Sequence, residues 1–228
     1  MQYIIAAPPI PTLPIAGRTE RFPVHRIYCI GRNYAEHAKE MGAVPEKGTP
    51  VFFMKPADAV VADGRDPRFP PATSNLHFEV EMVAALHSGG RDIALADALR
   101  HVYGYAVGVD LTRRDLQAAA KAKGNPWDTA KGFDDSAPVS ALVPADGRHP
   151  VAERLRLAVN GVPKQDTSVA DMLWPLPEII AELSRLYELQ AGDLIFTGTP
   201  AGVGALQPSD RVRCSLDGWA TLEFGFSA

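Results

Sequence analysis

Cysteine is scarce in this chain, and the two residues present, Cys29 and Cys214, lie far apart in the sequence. They form no C-x-x-C pair and match no spacing typical of a zinc site. A chain of 228 residues is long enough to bury a sizeable core without disulfides. We therefore expect two buried thiols that act as small apolar residues, and a reducing compartment, the cytoplasm.

Long apolar runs and clusters of basic residues are also missing. The apolar start of the chain has no positively charged region and is interrupted by prolines at positions 8, 9, 11 and 14, so we expect neither a signal peptide nor a spanning helix. The net charge is −4, and no stretch of the chain is basic. Nucleic acid and an anionic membrane are therefore not expected as partners.

The 20 prolines and 19 glycines divide the chain into short segments, which favours a sheet-rich fold with a few helices. Residues 1–24 are predicted to form an extended N-terminal arm, and residues 25–228 a single domain, because no repeat or long linker interrupts them. Strands are predicted at residues 27–30, 51–54, 77–86, 103–109, 155–159, 194–197 and 211–216. Helices are predicted at 34–41, 112–123 and 176–189, the last with an apolar stripe facing the core. This mixture predicts an α+β fold, a β-sandwich or barrel-like body with peripheral helices.

Three carboxylates occur where strands would bring them together. Alternation along residues 77–86 places His77, Glu79 and Glu81 on one face. Asp110 ends the next predicted strand, one face of which carries only small residues and so leaves room for close approach. Three buried carboxylates would repel one another unless a cation joined them, and oxygen ligands favour Mg²⁺, with Mn²⁺ or Ca²⁺ possible. The alternative is that the glutamates lie on the solvated face of a half-buried strand.

The short helix at 34–41 has signals at both ends: Asn33 as a cap, Glu36 as a capping-box acid and Gly42 as a left-handed terminator. His37 and Glu40 are three residues apart and so share a face. A carboxylate that orients an imidazole makes it a better general base for water. An exposed pair on a solvated helix is the alternative. Two turns of helix are marginal alone, so this segment is predicted to order by docking.

The glycine-rich segment 198–204 lacks the lysine of a phosphate-binding P-loop, so nucleotide binding is not expected. Its backbone N–H groups and Thr199 are predicted to form an anion nest near the cation. Trp127, Trp174 and Trp219 are predicted to lie in the core or an interface.

Five blocks, in this order, resemble the fumarylacetoacetate hydrolase family. They are Gly-Arg-Asn-Tyr-Ala-Glu-His from position 31, Phe-Met-Lys-Pro from 53, His-Phe-Glu-Val-Glu from 77, Gly-Val-Asp-Leu-Thr-Arg-Arg-Asp-Leu-Gln from 108 and Phe-Thr-Gly-Thr-Pro-Ala-Gly-Val-Gly from 196. Residues 21–28 and 124–134 look most like the bacterial fumarylpyruvate hydrolases within this family. The match has mild departures, since Phe78 replaces a common tyrosine, and Gly132 and Asp135 flank the lysine block differently.

The resemblance implies a mixed β-sandwich roll with a short lid helix, and a homodimer whose domain at 25–228 is catalytic. It implies Mg²⁺ or Mn²⁺ held by Glu79, Glu81 and Asp110. The implied catalytic residues are His37, Glu40 and Lys131, and the implied substrate contacts are Arg32, Arg114, Gln117 and Thr199.

The activity that the resemblance implies is cleavage of a carbon–carbon bond in an acylpyruvate, fumarylpyruvate giving fumarate and pyruvate as in gentisate-type aromatic catabolism. Decarboxylation of oxaloacetate, or hydration or isomerisation of a related 2-oxo acid, is the alternative on the same fold. A non-catalytic protein that binds a metal and an oxo acid is a third possibility, although a mere binder needs no base–acid pair.

Overall fold

The structure, a computed structural model, describes residues 3–42, 44 and 46–227. The strands are β1 (Thr12–Pro14), β2 (Arg21–Pro23), β3 (Ile27–Gly31), β4 (Val51–Lys55), β5 (Val60–Val61), β6 (Leu76–Phe78), β7 (Val80–Leu86), β8 (Val102–Val109), β9 (Thr112–Arg113), β10 (Ala137–Pro138), β11 (Val143–Pro144), β12 (Arg154–Val159), β13 (Val162–Ser168), β14 (Leu194–Phe196), β15 (Gly204–Ala205), β16 (Val212–Leu216) and β17 (Ala220–Phe224). The helices are α1 (Ala35–Glu40), α2 (Arg114–Lys123), α3 (Asp128–Lys131) and α4 (Leu176–Leu186).

The central sheet has the strand order β11-β8-β7-β14-β3-β4, and a second sheet has the order β13-β12-β16-β17. In the central sheet β14 runs parallel to β3 and antiparallel to β7. Alternate residues of its strands face two hydrophobic cores, because strand side chains point to opposite faces. The larger core lies between this sheet, the second sheet and α4. The described strands therefore form open sheets in an α+β sandwich-like roll, not the barrel-like alternative.

The predicted single strand at 77–86 is wrong, because the chain changes sheet at Glu79. Strand β6 pairs with β9 and β15, whereas β7 pairs with β8 and β14. At the junction, the side-chain oxygen of Gln165 accepts the N–H of Val80 at 3.0 Å. The carbonyl of Glu79 accepts the N–H of Asp110 at 2.9 Å. These two bonds pair the N–H of Val80 and the carbonyl of Glu79 at the break, and Glu79 lies where two sheets meet.

The space beside the small residues of β8 is occupied by other segments of the protein. A Cβ atom on Gly104 would lie 2.4 Å from the carbonyl oxygen of Val143, and one on Gly108 would lie 2.9 Å from the ring of Phe196. The close approach expected along this face is therefore made by neighbouring segments of the fold.

The predicted capping box of α1 is wrong. Tyr34 is the N-cap residue, and no side chain caps the helix. Asn33 is instead fully buried, where its amide donates to the carbonyls of Trp174 (3.0 Å) and Thr197 (2.8 Å) and accepts the N–H of Trp174 at 2.7 Å. Glu36 is exposed. The side chain of Asn33 cannot cap the helix, because its amide joins the start of α1 to the segments that contain Trp174 and Thr197.

Two helices differ from their predicted bounds. Helix α2 begins at Arg114 rather than residue 112, because Thr112–Arg113 pair with β6 as β9. Helix α4 ends at Leu186, which is exposed, and Leu189 leaves the helix to form a bridge with Gly90. Within the described residues, no helix is long and apolar enough to cross a membrane.

The N-terminal segment includes a hairpin. Strands β1 and β2 pair antiparallel, and Leu13 and Phe22 are buried in the smaller core, while Ile4, Ile5 and Ile10 are exposed. The division into an arm at 1–24 and a domain at 25–228 stays a prediction.

Candidate active site

The three predicted carboxylates converge. Glu79 lies at the junction of β6 and β7, Glu81 lies opposite Gly108 in the β7–β8 pair, and Asp110 directly follows β8. Their relative exposures are 4%, 1% and 0%, and one oxygen atom from each lies within 4.8 Å of the others. The geometry is that of a buried all-oxygen site.

This group of acids fits a hard divalent cation. Burial raises the pKa of Glu81 well above its usual range, and the nearby charges of Asp110 and Glu79 raise it further. Oxygen Oδ1 of Asp110 is also buried, and the ammonium group of Lys55 lies 2.8 Å from it. A cation of the Mg²⁺ or Mn²⁺ class would relieve the repulsion among the three acids, since such ions prefer carboxylate oxygens. Glu79, Glu81 and Asp110 are therefore the residues that can hold it.

Lys131, at the end of α3, lies against the same acids. Its Nζ atom donates to Oε2 of Glu79 (2.7 Å), Oδ2 of Asp110 (2.5 Å) and Oγ1 of Thr112 (2.7 Å). Burial by itself lowers the pKa of this lysine, but the charges of Asp110 and Glu79 outweigh burial and raise it. The side chain is therefore a fixed, protonated donor.

Arg114, the first residue of α2, completes the surroundings of Glu79. One guanidinium nitrogen contacts Oε1 of Glu79, and Nη1 donates to Oε1 of Gln117 at 2.6 Å. Burial acts to raise the pKa of Glu79, but the positive charges of Lys131 and Arg114 lower it overall. Glu79 and Glu81 are thus shifted in opposite directions, because only Glu79 has two cationic partners.

Helix α1 places the predicted dyad beside this pocket. The Nδ1 atom of His37 lies 3.1 Å from Oε2 of Glu40, and the other carboxylate oxygen of Glu40 accepts the N–H of Gly202 at 3.1 Å. His37 is buried and lines the same pocket as Glu79 and Glu81. His37 is therefore not on a solvated helix face, whereas Glu40 is exposed and is held by its contact with Gly202.

The pocket is narrow, with a cavity volume of about 30 Å³. Glu40 and Asp110 lie outside its lining, and the other predicted site residues form part of it: Arg32, His37, Glu79, Glu81, Arg114, Gln117, Lys131 and Thr199. Trp127 is half-buried and also lines the pocket, so it does not lie in the core, and its predicted place in an interface stays a prediction.

The loop after β14 contributes backbone to the site. The N–H of Gly198 donates to Oε2 of Glu81 at 2.6 Å, as an anion nest would. Gly198 has φ +89, and an added Cβ would lie 2.6 Å from Cβ of Asn33. The hydroxyl of Thr199 accepts a hydrogen bond from Gln165 at 2.8 Å. Glycine is thus required where this loop passes the buried asparagine.

Sequence reasoning missed Lys55 and Gln165. Lys55 is completely buried, its Nζ atom lies 2.8 Å from Oδ1 of Asp110, and it donates to the carbonyls of Lys131 and Leu111, the latter at 3.2 Å. A lysine that ends an apolar strand was the available signal. No sequence signal pointed to Gln165, because it lies in the polar segment that forms β13.

Residues 26–226 match the family model described as the C-terminal domain of fumarylacetoacetate (FAA) hydrolase. The chain belongs to the fumarylacetoacetate hydrolase family.

Two fumarylpyruvate hydrolases and an oxaloacetate tautomerase are among the similar proteins. The crystal structure of fumarylpyruvate hydrolase from Pseudomonas aeruginosa, in complex with Mn²⁺ and pyruvate, is 45% identical, superimposes with a TM-score of 0.95 and is covered over 99% of both chains. The fumarylpyruvate hydrolase of a Ralstonia species is 42% identical over 171 residues, 75% of this chain and 89% of that protein. The mitochondrial oxaloacetate tautomerase of Rattus norvegicus is 42% identical over 199 residues, 87% of this chain and 90% of that protein.

Proposed function

We propose that this enzyme hydrolyses an acylpyruvate, with fumarylpyruvate as substrate and fumarate and pyruvate as products. The observation that carries the proposal is the docked His37–Glu40 pair, which shares a pocket with Glu79 and Glu81. A protein that only bound a metal and an oxo acid would need no such base. Similarity to the Pseudomonas enzyme that binds Mn²⁺ and pyruvate supports both the substrate and a Mg²⁺ or Mn²⁺ cofactor.

The cation belongs on Glu79, Glu81 and Asp110. When bound there, it would supply a Lewis acid for the carboxylate and adjacent oxo group of the substrate. The groups assigned to substrate contact are Arg32, Arg114, Gln117 and Thr199, which line the pocket. Arginine is suited to a carboxylate because it offers parallel donors.

His37 is the proposed base. Oriented by Glu40, its imidazole removes a proton from water while the water oxygen bonds to the distal carbonyl carbon. Lys131 is proposed to stabilise the oxygen that becomes negative through its buried ammonium, which would exchange one of its three present acceptors, Glu79, Asp110 and Thr112, to donate there. The carbon–carbon bond then breaks and its electron pair stays with the pyruvate methylene carbon. The proton that His37 took from water is returned to that carbon, which gives pyruvate.

Oxaloacetate tautomerisation is the second candidate. The 42% identity to the rat tautomerase over 87% of this chain favours it. In this reaction His37 would move a proton between carbon and oxygen, and no water would be added. The same carboxylates would hold the cation, so only the role of the water separates the two functions; decarboxylation of oxaloacetate is distinguished by release of CO₂.

The deciding experiment compares fumarylpyruvate, acetylpyruvate and oxaloacetate with Mg²⁺, Mn²⁺ or a chelator present. We expect pyruvate and fumarate to appear from fumarylpyruvate only when a metal is present. Rapid enol–keto conversion of oxaloacetate or release of CO₂, with both acylpyruvates untouched, would establish the alternative instead.

We also propose that the enzyme is a cytoplasmic homodimer of gentisate-type aromatic catabolism. The family resemblance supports the dimer and the pathway, and two buried thiols are consistent with a reducing compartment. Light scattering coupled to gel filtration measures the mass directly, and a monomeric mass at micromolar concentration would contradict the dimer.

A further inference from the structure

One face of α2 runs outward from the carboxylates. Arg114, Gln117 and Lys121 are spaced i, i+3, i+7, so they lie on the same side of the helix, and all three line the pocket. Seven residues of helix span about 10 Å. Arg114 contacts Glu79 at the inner end. Lys121 therefore stands about two turns farther from the acids.

Lys121 is a half-buried cation among other cations. Its Nζ atom lies 5.0 Å from the centre of the Trp127 ring, which holds the side chain against the pocket wall. Burial lowers the pKa of Lys121, and the positive charges of Arg114 and Arg32 lower it further. Among the residues that the structure describes, Lys121 has no ion-pair partner. A half-buried cation in these surroundings is stabilised by an added anion.

Arg32 lies at the outer edge of the pocket. It lines this pocket and an adjoining outer cavity, together with Gly31 and Met41. Its backbone has φ +59, a left-handed conformation that few arginines adopt and that is typical of functional positions. The conformation belongs to the turn between β3 and α1, which the buried Asn33 anchors.

We propose that Arg32 and Lys121 form an anion subsite for a terminal carboxylate on the acyl part of the substrate. The pocket then has two different ends. At the inner end are the acids that would hold a cation, paired with Lys131 and Arg114, and at the outer end are Arg32 and Lys121, with the Trp127 ring beside the connecting carbon chain. This inference rests on the proposed acylpyruvate hydrolysis and narrows its substrate class to acyl groups that end in a carboxylate.

The kinetic test compares fumarylpyruvate with acetylpyruvate, whose acyl group ends in a methyl group. The wild-type enzyme should prefer fumarylpyruvate. Lys121→Met should lower kcat/KM for fumarylpyruvate about 10- to 100-fold, mainly through KM, because one charged hydrogen bond is lost, and should lower kcat/KM for acetylpyruvate far less. Lys121→Arg should restore most of the preference. Lys123→Met is the matched control, since Lys123 is exposed in the same last turn of α2. Equal losses on both substrates, or no preference in the wild type, would overturn the subsite.

A binding test keeps the subsite separate from the reaction. Fumarate and crotonate differ by a carboxylate in place of a methyl group, and calorimetry gives their affinities for the Mn²⁺-loaded protein. Fumarate should bind about tenfold more tightly than crotonate, and Lys121→Met should remove the difference. If the enzyme hydrolyses neither acylpyruvate, the proposed function is wrong, but this result still decides the subsite. Equal affinities in the wild type would refute the subsite even if hydrolysis is observed.

Discussion

Lys55 and Asp110 form a completely enclosed ion pair, with Nζ of Lys55 2.8 Å from Oδ1 of Asp110 and both side chains 0% exposed. The same ammonium group donates to the carbonyl oxygens of Leu111 and Lys131. Lys55 thus joins one carboxylate of the metal site to the segment that carries Lys131. Removing one partner of a buried pair leaves the other charge uncompensated, which costs about 3–5 kcal/mol.

We therefore expect Lys55→Met to lower the free energy of unfolding by about 3–5 kcal/mol and to weaken Mn²⁺ binding, because Asp110 loses its anchor. Urea denaturation of the metal-free protein measures the first effect and calorimetry the second. Asp193→Asn is the matched control, because Asp193 is a fully buried carboxylate paired with Arg26 and does not line the pocket. It should lose stability but keep its Mn²⁺ affinity. Unchanged or tighter Mn²⁺ binding by folded Lys55→Met would show that Lys55 does not position Asp110.

Metal binding should stabilise the fold. Mn²⁺ at 100 times its dissociation constant should add about 2.7 kcal/mol to the free energy of unfolding, because the cation binds only where the three carboxylates are assembled. Glu81→Gln should remove most of this gain, whereas Glu188→Gln, which changes an exposed acid, should keep it. Urea midpoints with and without Mn²⁺ provide the measurement. Equal Mn²⁺ stabilisation of the wild type and Glu81→Gln would place the cation elsewhere.

His37→Ala should lower kcat for fumarylpyruvate about 10²- to 10⁴-fold, the range for loss of a general base. Pyruvate binding to the Mn²⁺-loaded variant should persist, because His37 is not a carboxylate ligand of the cation. Glu36→Gln is the control on the same helix, since Glu36 is exposed and pairs only with Lys39 among the described residues. Turnover that survives in His37→Ala would disprove the assignment of the base.

Gly198→Ala should destabilise the protein more than Gly147→Ala. Both glycines have positive φ, but an added Cβ at Gly198 meets Cβ of Asn33 at 2.6 Å, whereas nothing lies within 4 Å at Gly147. Both variants pay about 1–2 kcal/mol for the left-handed backbone. Overpacking should add about 1–3 kcal/mol for Gly198→Ala alone. Thermal and urea unfolding of the two variants provide the comparison, and equal losses would mean that the loop shifts freely away from Asn33.

The convergence of Glu79, Glu81 and Asp110 was predicted from strand alternation and from the end of a strand, and the three carboxylates do lie together. The continuous strand that the prediction assumed is nevertheless broken at Glu79. The break at Glu79 was not predictable, because Gln165, 85 residues beyond Val80, accepts the N–H that a continuous strand would use. The predicted sheet-rich α+β fold was likewise correct, while the ends of individual elements depended on pairing with distant segments.

Two errors share a physical cause. Asparagine is a residue that often caps helices, yet the amide of Asn33 makes three tertiary hydrogen bonds to Trp174 and Thr197. Lys55 was not assigned a role from the sequence, yet it is a buried counter-ion whose partner, Asp110, lies 55 residues later. In both positions a long-range polar contact, which leaves no local pattern, determined what the residue does.

Glu40 makes two contacts, one to His37 within the six-residue helix α1 and one to the backbone N–H of Gly202 outside it. A helix this short is not stable in isolation. The same carboxylate therefore orients the imidazole ring and attaches the helix to the loop that follows β14. A change that breaks the Gly202 contact would also free the group that orients His37.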